Sequence, residues 1–323
     1  MFGIVLTLLI GFRFQVGGDW TTYLSKLRQT SFLSISDVLF AGDPGYSLTN
    51  WLANQLGFFD TVWPVNLTCG MLFSIGLLKF CARQPLPWLA VLVSIPYLVV
   101  VVAMGYSRQG VAIGLAMLAL LCIQDRKFYS FMIWMGLAAL FHKTAVLLMP
   151  IGIIASTQNR YWTIFAGGLA VGLMYLLFLS ESVDGFLRSY VQAQYQSEGA
   201  AIRIAMNAIP SALFLFFRKR FLLTEAERRL WTYMCLIGVS FIALLIISPS
   251  STAVDRMALY FIPIQIFVWS RLPFVFGSTL KTFRATQLAV VGYSAAIMFV
   301  WLNFAGHAYA WVPFKLYGFA DPI

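Results

Sequence analysis

Residues 87–127 read PWLAVLVSIPYLVVVVAMGYSRQGVAIGLAMLALLCIQDRK. Two apolar runs, 87–104 and 109–124, are separated only by a short turn around GYSRQG and closed by Asp125-Arg126-Lys127. A helix needs roughly 20 predominantly apolar residues to cross a bilayer. Two such runs joined by a tight turn and followed by a basic stop read as a pair of membrane-crossing helices. The pattern continues in both directions, with candidate spans at 1–12, 59–78, 87–104, 109–124, 129–141, 144–156, 162–179, 204–217, 230–247, 258–270 and 285–304. The expected fold class is all-α, a polytopic transmembrane helix bundle of about 10–11 spans.

Composition agrees. The chain of 323 residues is 60% hydrophobic and 11% charged, with mean hydropathy +0.82. A soluble domain carries roughly 25% charged residues. Residues 1–12 are too few to cross alone and carry no A-x-A-like cleavage site, so they read as a retained anchor. The pair 129–141 and 144–156 is broken by His142-Lys143, giving either two short spans or one span and a re-entrant piece. Cys69, Cys81, Cys122 and Cys235 sit in or at the ends of apolar segments without ligand spacing, and read as packing residues.

Charge sets the orientation. Loops 79–86, 125–128, 157–161, 218–229 and 271–284 hold thirteen cations against three acids (Asp125, Glu225, Glu227), which accounts for the whole net charge of +10. The opposite face carries nine of each sign. The positive-inside rule places the first set in the cytoplasm, the N-terminus inside and the C-terminus outside. The basic balance therefore reports topology, and nucleic acid is not an expected partner. The expected location is a plasma or bacterial inner membrane, crossed many times, with the functional face outward.

The chain reads as a single integral membrane domain, 1–323, with outer-face loops at 13–58 and 180–203. In the first loop, Trp20–Leu27 and Ile35–Phe40 suit short interfacial helices, with Asp19 and Ser36-Asp37 as caps. The second holds Tyr190, Gln192, Gln194, Tyr195 and Gln196, a mix that suits sugar rings and hydroxyls or simply a solvated loop.

Five outer-face groups stand out. Arg13 follows the first span in FRFQVGGDW, where Gly17-Gly18 allows a turn that brings Arg13 and Asp19 together. Asp43-Pro-Gly-Tyr46 is a turn signature. Arg108 lies between two helices in GYSRQG. His142-Lys143 interrupts an apolar run, and Asp255-Arg256 opens a helix. Ionisable groups at the membrane boundary are costly and mark function by default. Singly, each has a plain structural role: Arg13 and Arg256 snorkelling to headgroups, Asp255 capping or pairing with an Arg, His142 satisfied at a helix end. Together they place several cations, a few carboxylates and one imidazole at one depth. Arg forks bind phosphate oxygens bidentately. The sequence has no P-loop, no nucleotide-binding glycine fingerprint, no D-x-D pair in a soluble loop and no cytoplasmic segment large enough for a nucleotide sugar.

The segments FRFQVGGDWTTY (12–23), DPGY (43–46), YSRQGVAIG (106–114), FHKTAVLLMP (141–150), DRMALYFIP (255–263) and WVPF (311–314) resemble, as an ordered set, the EpsG family of exopolysaccharide polymerases, related in role to the Wzy polymerases. The family usually carries Glu where Asp43 stands, and more sequence before the first Arg motif. The resemblance implies a GT-C-like glycosyltransferase that joins oligosaccharide repeat units carried on undecaprenyl diphosphate, as donor and acceptor, during exopolysaccharide, capsule or O-antigen synthesis. It implies no cofactor and no metal, because Arg carries the diphosphate charge, and names a chain-length regulator and a flippase as candidate partners. On the chemistry, Arg108 and Arg256 are the first choices for the leaving diphosphate, followed by Arg13 and Lys143. His142 and Asp19 are the candidate bases, with His142 preferred for its intrinsic pKa. Asp43, Asp255 and Arg203 join the substrate-binding set, and Trp20, Tyr46 and Trp311 are either sugar-stacking faces or interfacial anchors. The rival readings are a flippase of lipid-linked oligosaccharide, a membrane O-acyltransferase, and a ligase with the same chemistry but another acceptor. A flippase would line a path through the membrane with its cations, and an O-acyltransferase would need a cytoplasmic-face His, whereas the only two are His142 and His307.

Overall fold

A computed structural model describes residues 1–40, 42–156, 161, 165, 168 and 197–319. The candidate span 162–179 apart from residues 165 and 168, together with Arg160, Tyr190, Gln192, Gln194, Tyr195 and Gln196, lies outside the described residues. Helices account for all the regular structure among the described residues, save one isolated antiparallel bridge between Arg13 and Leu316. In chain order they are α1 (Phe2–Gly11), α2 (Trp20–Thr30), α3 (Ile35–Phe40), α4 (Pro44–Gln55), α5 (Trp63–Ala82), α6 (Pro87–Ser94) continued by a π-helix (Ile95–Ala103), α7 (Ser107–Gln124), α8 (Phe128–Phe141), a 3₁₀ turn (Lys143–Leu148) and α9 (Met149–Ser156). Then follow α10 (Ala200–Phe217), α11 (Glu225–Ile247), α12 (Ser251–Ala258), a 3₁₀ turn (Leu259–Phe261), α13 (Pro263–Trp269), α14 (Leu272–Phe276) and α15 (Leu280–Phe304).

Among the described residues, five helices are long and apolar enough to cross a membrane: α5, α7, α10 with its 3₁₀ extension to Arg220, α11 and α15. The bent pair Ser251–Phe261 and Pro263–Phe276, which turns by 46°, is either a sixth, broken span or a re-entrant loop. The chain is thus a multi-pass membrane protein. Four further expected spans are shorter apolar helices, Phe2–Gly11, Pro87–Ala103, Phe128–Phe141 and Lys143–Ala155.

α7 is the central helix, with 83% of its span buried, whereas only 11% of α15 is. Glycine sets the α5–α7 contact: a Cβ on Gly76 would lie 2.1 Å from the Gly114 carbonyl oxygen, so the two backbones touch where a side chain would separate them. The bend before α13 follows from Pro263, which has no N–H to donate. Its loose ends are gathered: Ile262 N–H donates to the Leu259 carbonyl, and the Asn207 amide donates to the Ala258 carbonyl (2.7 Å) while accepting from Gln265 (2.7 Å). Backbone freed at membrane depth needs such internal partners.

The long N-terminal loop differs from expectation in three places. Asp19 stands at the N-cap of α2, but its side chain makes no cap bond. α3 is capped by Ser34, whose hydroxyl accepts the Asp37 N–H (3.3 Å) and donates to the Asp37 carboxylate (2.6 Å), rather than by Ser36-Asp37. The Asp43-Pro-Gly-Tyr turn is the start of α4, with Asp43 at the N-cap and Pro44 at N1. Proline there fixes φ where an N–H would be orphaned anyway, so the signature serves a helix start equally well. The other end of the bundle carries the basic loops: Arg83 pairs with Asp125 (2.9 Å), and Arg271 stacks over Phe267 and donates to Gln84.

Candidate functional site

The site lies at the end of the bundle where residues 13–58 gather, and its geometry starts from Arg13. That side chain is fully buried. Its guanidinium donates to the Ile10 carbonyl (2.5 Å), Asn66 Oδ1 of α5 (3.0 Å) and Ser107 Oγ (2.6 Å), the first residue of α7. Arg13 therefore neither snorkels nor turns toward Asp19. It ties α1 and α5 to the residue next to Arg108. The backbone around it is fixed by the C-terminal segment: Phe14 N–H donates to the Lys315 carbonyl (2.9 Å), Tyr317 N–H to the Phe12 carbonyl (2.7 Å) and Gly17 N–H to the Ala310 carbonyl (2.8 Å). Gly17 holds φ +104, and a Cβ there would meet the Met104 carbonyl oxygen at 2.9 Å.

Arg108 projects from the first turn of α7 onto Asp43 at 2.6 Å, with both groups mostly buried. The carboxylate does not cap its own helix. It reaches Arg108 through Oδ2 and accepts the Lys143 backbone N–H through Oδ1 (3.4 Å). Gly45 makes this possible, since its Cα packs so closely on the end of α8 that a Cβ would lie 3.1 Å from the Leu140 carbonyl oxygen. The Arg108 guanidinium also sits over Tyr46, 5.9 Å from the ring centroid. Tyr46 is buried against Tyr23 (centroids 5.6 Å), so its ring faces protein and offers no sugar-stacking face. Trp311 is likewise turned inward, donating through Nε1 to the Val100 carbonyl (2.8 Å). Trp20 packs edge-on against Phe14, ring centroids 5.8 Å apart.

His142 ends α8 in an extended conformation, φ −157 and ψ 112, which turns the chain into the next 3₁₀ segment. Its Nδ1 is 2.9 Å from the Tyr260 hydroxyl. Burial pushes the imidazole pKa down to about 4, with Arg108, Arg256 and Lys26 pushing the same way against Asp43. The ring is neutral at pH 7. Which partner donates depends on the imidazole tautomer: in the one whose Nδ1–H donates to Tyr260, Nε2 presents a lone pair.

Asp255 is closed by Arg203 in a bidentate pair (Nε–Oδ1 2.7 Å, NH2–Oδ2 2.8 Å), joined by Ser197 Oγ at 3.1 Å. This locks α10 to α12 and fixes Arg256, the next residue, whose carbonyl accepts from Gln109 (2.8 Å). Asp19 is half-buried at the head of α2, and among the described residues its carboxylate makes no hydrogen bond or ion pair. The Lys143 side chain is exposed. The structure thus brings Asp43, Arg108, Lys143 and His142 together, sets Arg256 within electrostatic reach of His142, and makes Arg13 and the Arg203–Asp255 pair its scaffolding.

Two residues of this site escaped the sequence reading. Lys26 on α2 is half-buried, its pKa lowered by burial and then by Arg108, with Asp43 and Asp19 opposing. Its signal was periodicity: Tyr23, Lys26, Leu27 and Thr30 share one helical stripe, and the other three are buried. Tyr260 stands inside the quoted DRMALYFIP segment, one turn after Arg256, but no local pattern singles it out there.

A sequence model of the EpsG family matches residues 1–316. The chain belongs to the EpsG family. Neither a curated protein sequence nor a solved structure matches it. EpsG-family membership implies a role in exopolysaccharide polymerisation. In this EpsG-family protein the six segments quoted above, scattered from 12 to 314, interlock at one end of the bundle: 12–23 with the C-terminal strip around 311–314, 43–46 with 106–114 and 141–150, and 255–263 with both 106–114 and 141–150.

Proposed function

We propose that the protein is a polysaccharide polymerase that joins oligosaccharide repeat units carried on undecaprenyl diphosphate, acting on the outer face of the plasma or inner membrane. The interlocking of the six segments around Arg108, His142 and Arg256 is the observation that carries this reading. An acceptor sugar hydroxyl attacks C1 of the donor's reducing-end sugar. The new C1–O bond forms as the bond to the lipid diphosphate breaks, and the diphosphate leaves with the electron pair. Arg108 and Arg256 stabilise the charge that grows on the leaving oxygens. Asp43 holds the Arg108 fork in place, and Lys26 and Lys143 add positive potential at the rim. Neutral His142 takes the hydroxyl proton through Nε2, oriented by Tyr260; Asp19 is the second candidate base. The GT-C-like class is part of this proposal and rests on the family resemblance. A chain-length regulator and a flippase remain proposed partners.

The test uses cells lacking this protein, complemented with wild type, Arg108→Ala or Arg256→Ala, and sizes the glycan on a gel. Removing one such charge-stabilising donor costs on the order of 100-fold or more in turnover. Deletion and both variants should leave single repeat units on lipid, accessible from outside. Single units trapped on the cytoplasmic face would make the protein a flippase instead.

A further inference from the structure

A cavity of about 360 Å³ opens between α10 and α15, floored by Tyr97 and Val101 of the π-helical segment. Its size falls in the range of roughly 300–1,000 Å³ that holds small-molecule ligands. The walls are apolar: Ile202, Met206 and Ile209 on one side, Ile297, Val300 and Phe304 on the other. Ala205 and Ala296 stand where larger side chains would fill it. Both walls belong to membrane-length helices, and α15 is the least buried of these, so the cavity faces the bilayer sideways. Along α15 the lining runs from Tyr293 to Phe304. At about 1.5 Å per residue that is ~16 Å, about half of a ~30 Å hydrocarbon layer.

The two ends of the groove differ. Its walls are mostly hydrocarbon, but its upper rim carries Glu198, Arg203, His307 and Tyr106. Tyr106 lies two residues from Arg108 and within electrostatic reach of Asp19 and Arg256. Tyr106 thus puts the rim of the groove beside the first turn of α7, which carries Arg108. The groove's gradient, apolar for one leaflet's depth and then polar, matches a single long hydrocarbon chain ending in an ionic head group.

We propose that this groove holds the polyprenyl chain of the lipid-diphosphate substrate, which runs down between α10 and α15 while its head group passes Tyr106 to reach Arg108 and Arg256. The assignment rests on the lipid-linked reading of the site given above. It makes Ala205 and Ala296 specificity-determining residues, kept small by the chain they admit.

The test is photocrosslinking of the full chain in nanodiscs of phosphatidylethanolamine and phosphatidylglycerol, with a polyprenyl diphosphate bearing a diazirine on its third isoprene unit. Mass spectrometry should place adducts on groove residues such as Ile202, Ile297 and Phe304. Unlabelled undecaprenyl diphosphate should suppress them, and excess phosphatidylglycerol should not. Ala296→Trp should lower the yield at least tenfold, whereas Leu288→Trp, on the same helix but outside the groove, should not. Adducts scattered over other lipid-facing helices, or equal suppression by phosphatidylglycerol, would overturn the proposal. Crosslinking needs no turnover, so the two readings fail separately. Labelling in the groove without polymer sinks the polymerase, and polymer with labelling elsewhere sinks the groove.

Discussion

His142 is legible in the sequence as an imidazole inside an apolar run, but what it does there depends on residues far away. Tyr260 arrives from more than a hundred positions on, and Arg108, Arg256 and Lys26 come from three other helices. Arg108 and Asp43 were equally visible as ionisable groups at helix ends. Their mutual contact was not, because it depends on Gly45 seating α4 against α8. Arg13 shows the opposite limit: the sequence places a cation beside Gly-Gly, while its true partners, Asn66 and Ser107, belong to helices that no local pattern connects to it. The His142 environment has a pH consequence. Its folded pKa is about 4 against an ordinary 6.5, so between those values the unfolded chain binds a proton that the folded site refuses. Stability is fully present above pH 6.5 and declines as pH falls through 4. The thermal midpoint in nanodiscs should therefore fall on acidification in wild type, and less steeply in His142→Gln. Equal slopes would place the titrating group elsewhere.

At the scale of elements, hydropathy located the helices and missed their irregularities. Residues 87–104 read as one span but run as α6 and a nine-residue π-helix beginning one residue before Pro96. The expected span 258–270 contains the Pro263 bend, and the DPGY turn opens α4. In each case proline changed the backbone without changing the apolar count on which span-finding relies. The C-terminal strip is the least legible element: its pairing with residues 12–17 is made by backbone groups, which leave no side-chain pattern. Two neighbouring glycines test the turn that faces this strip. Gly17→Ala forces a Cβ onto positive φ and against the Met104 carbonyl, and should cost about 1–3 kcal/mol. A Cβ on Gly18 meets nothing within 4 Å, so Gly18→Ala should stay within about 0.5 kcal/mol of wild type. Thermal unfolding in detergent compares them directly, and equal losses would mean that neither the positive φ at Gly17 nor its approach to Met104 holds this loop.

For the whole molecule, the asymmetry of charge matches two structurally distinct ends. One end gathers the basic loops, with Arg83–Asp125 and Arg271–Gln84 as their main side-chain links. The other gathers the candidate site under α2–α4. The orientation proposed from positive-inside charge is open to direct test, because three of the native cysteines are buried and Cys122 is half-buried. In intact cells an impermeant maleimide should label Ser36→Cys, on exposed α3, and should reach Lys219→Cys only after permeabilisation. The reverse pattern would put the site in the cytoplasm and remove the lipid-linked donor from its reach.

The central claim is tested most directly with purified protein in liposomes, given lipid-linked repeat units as both donor and acceptor and no nucleotide sugar. A ladder of lengthened glycans, with one undecaprenyl diphosphate released per joining step, should form with wild type and be lost with Arg108→Ala and His142→Ala. Single units that merely cross the bilayer, or a ladder undiminished in both variants, would contradict it.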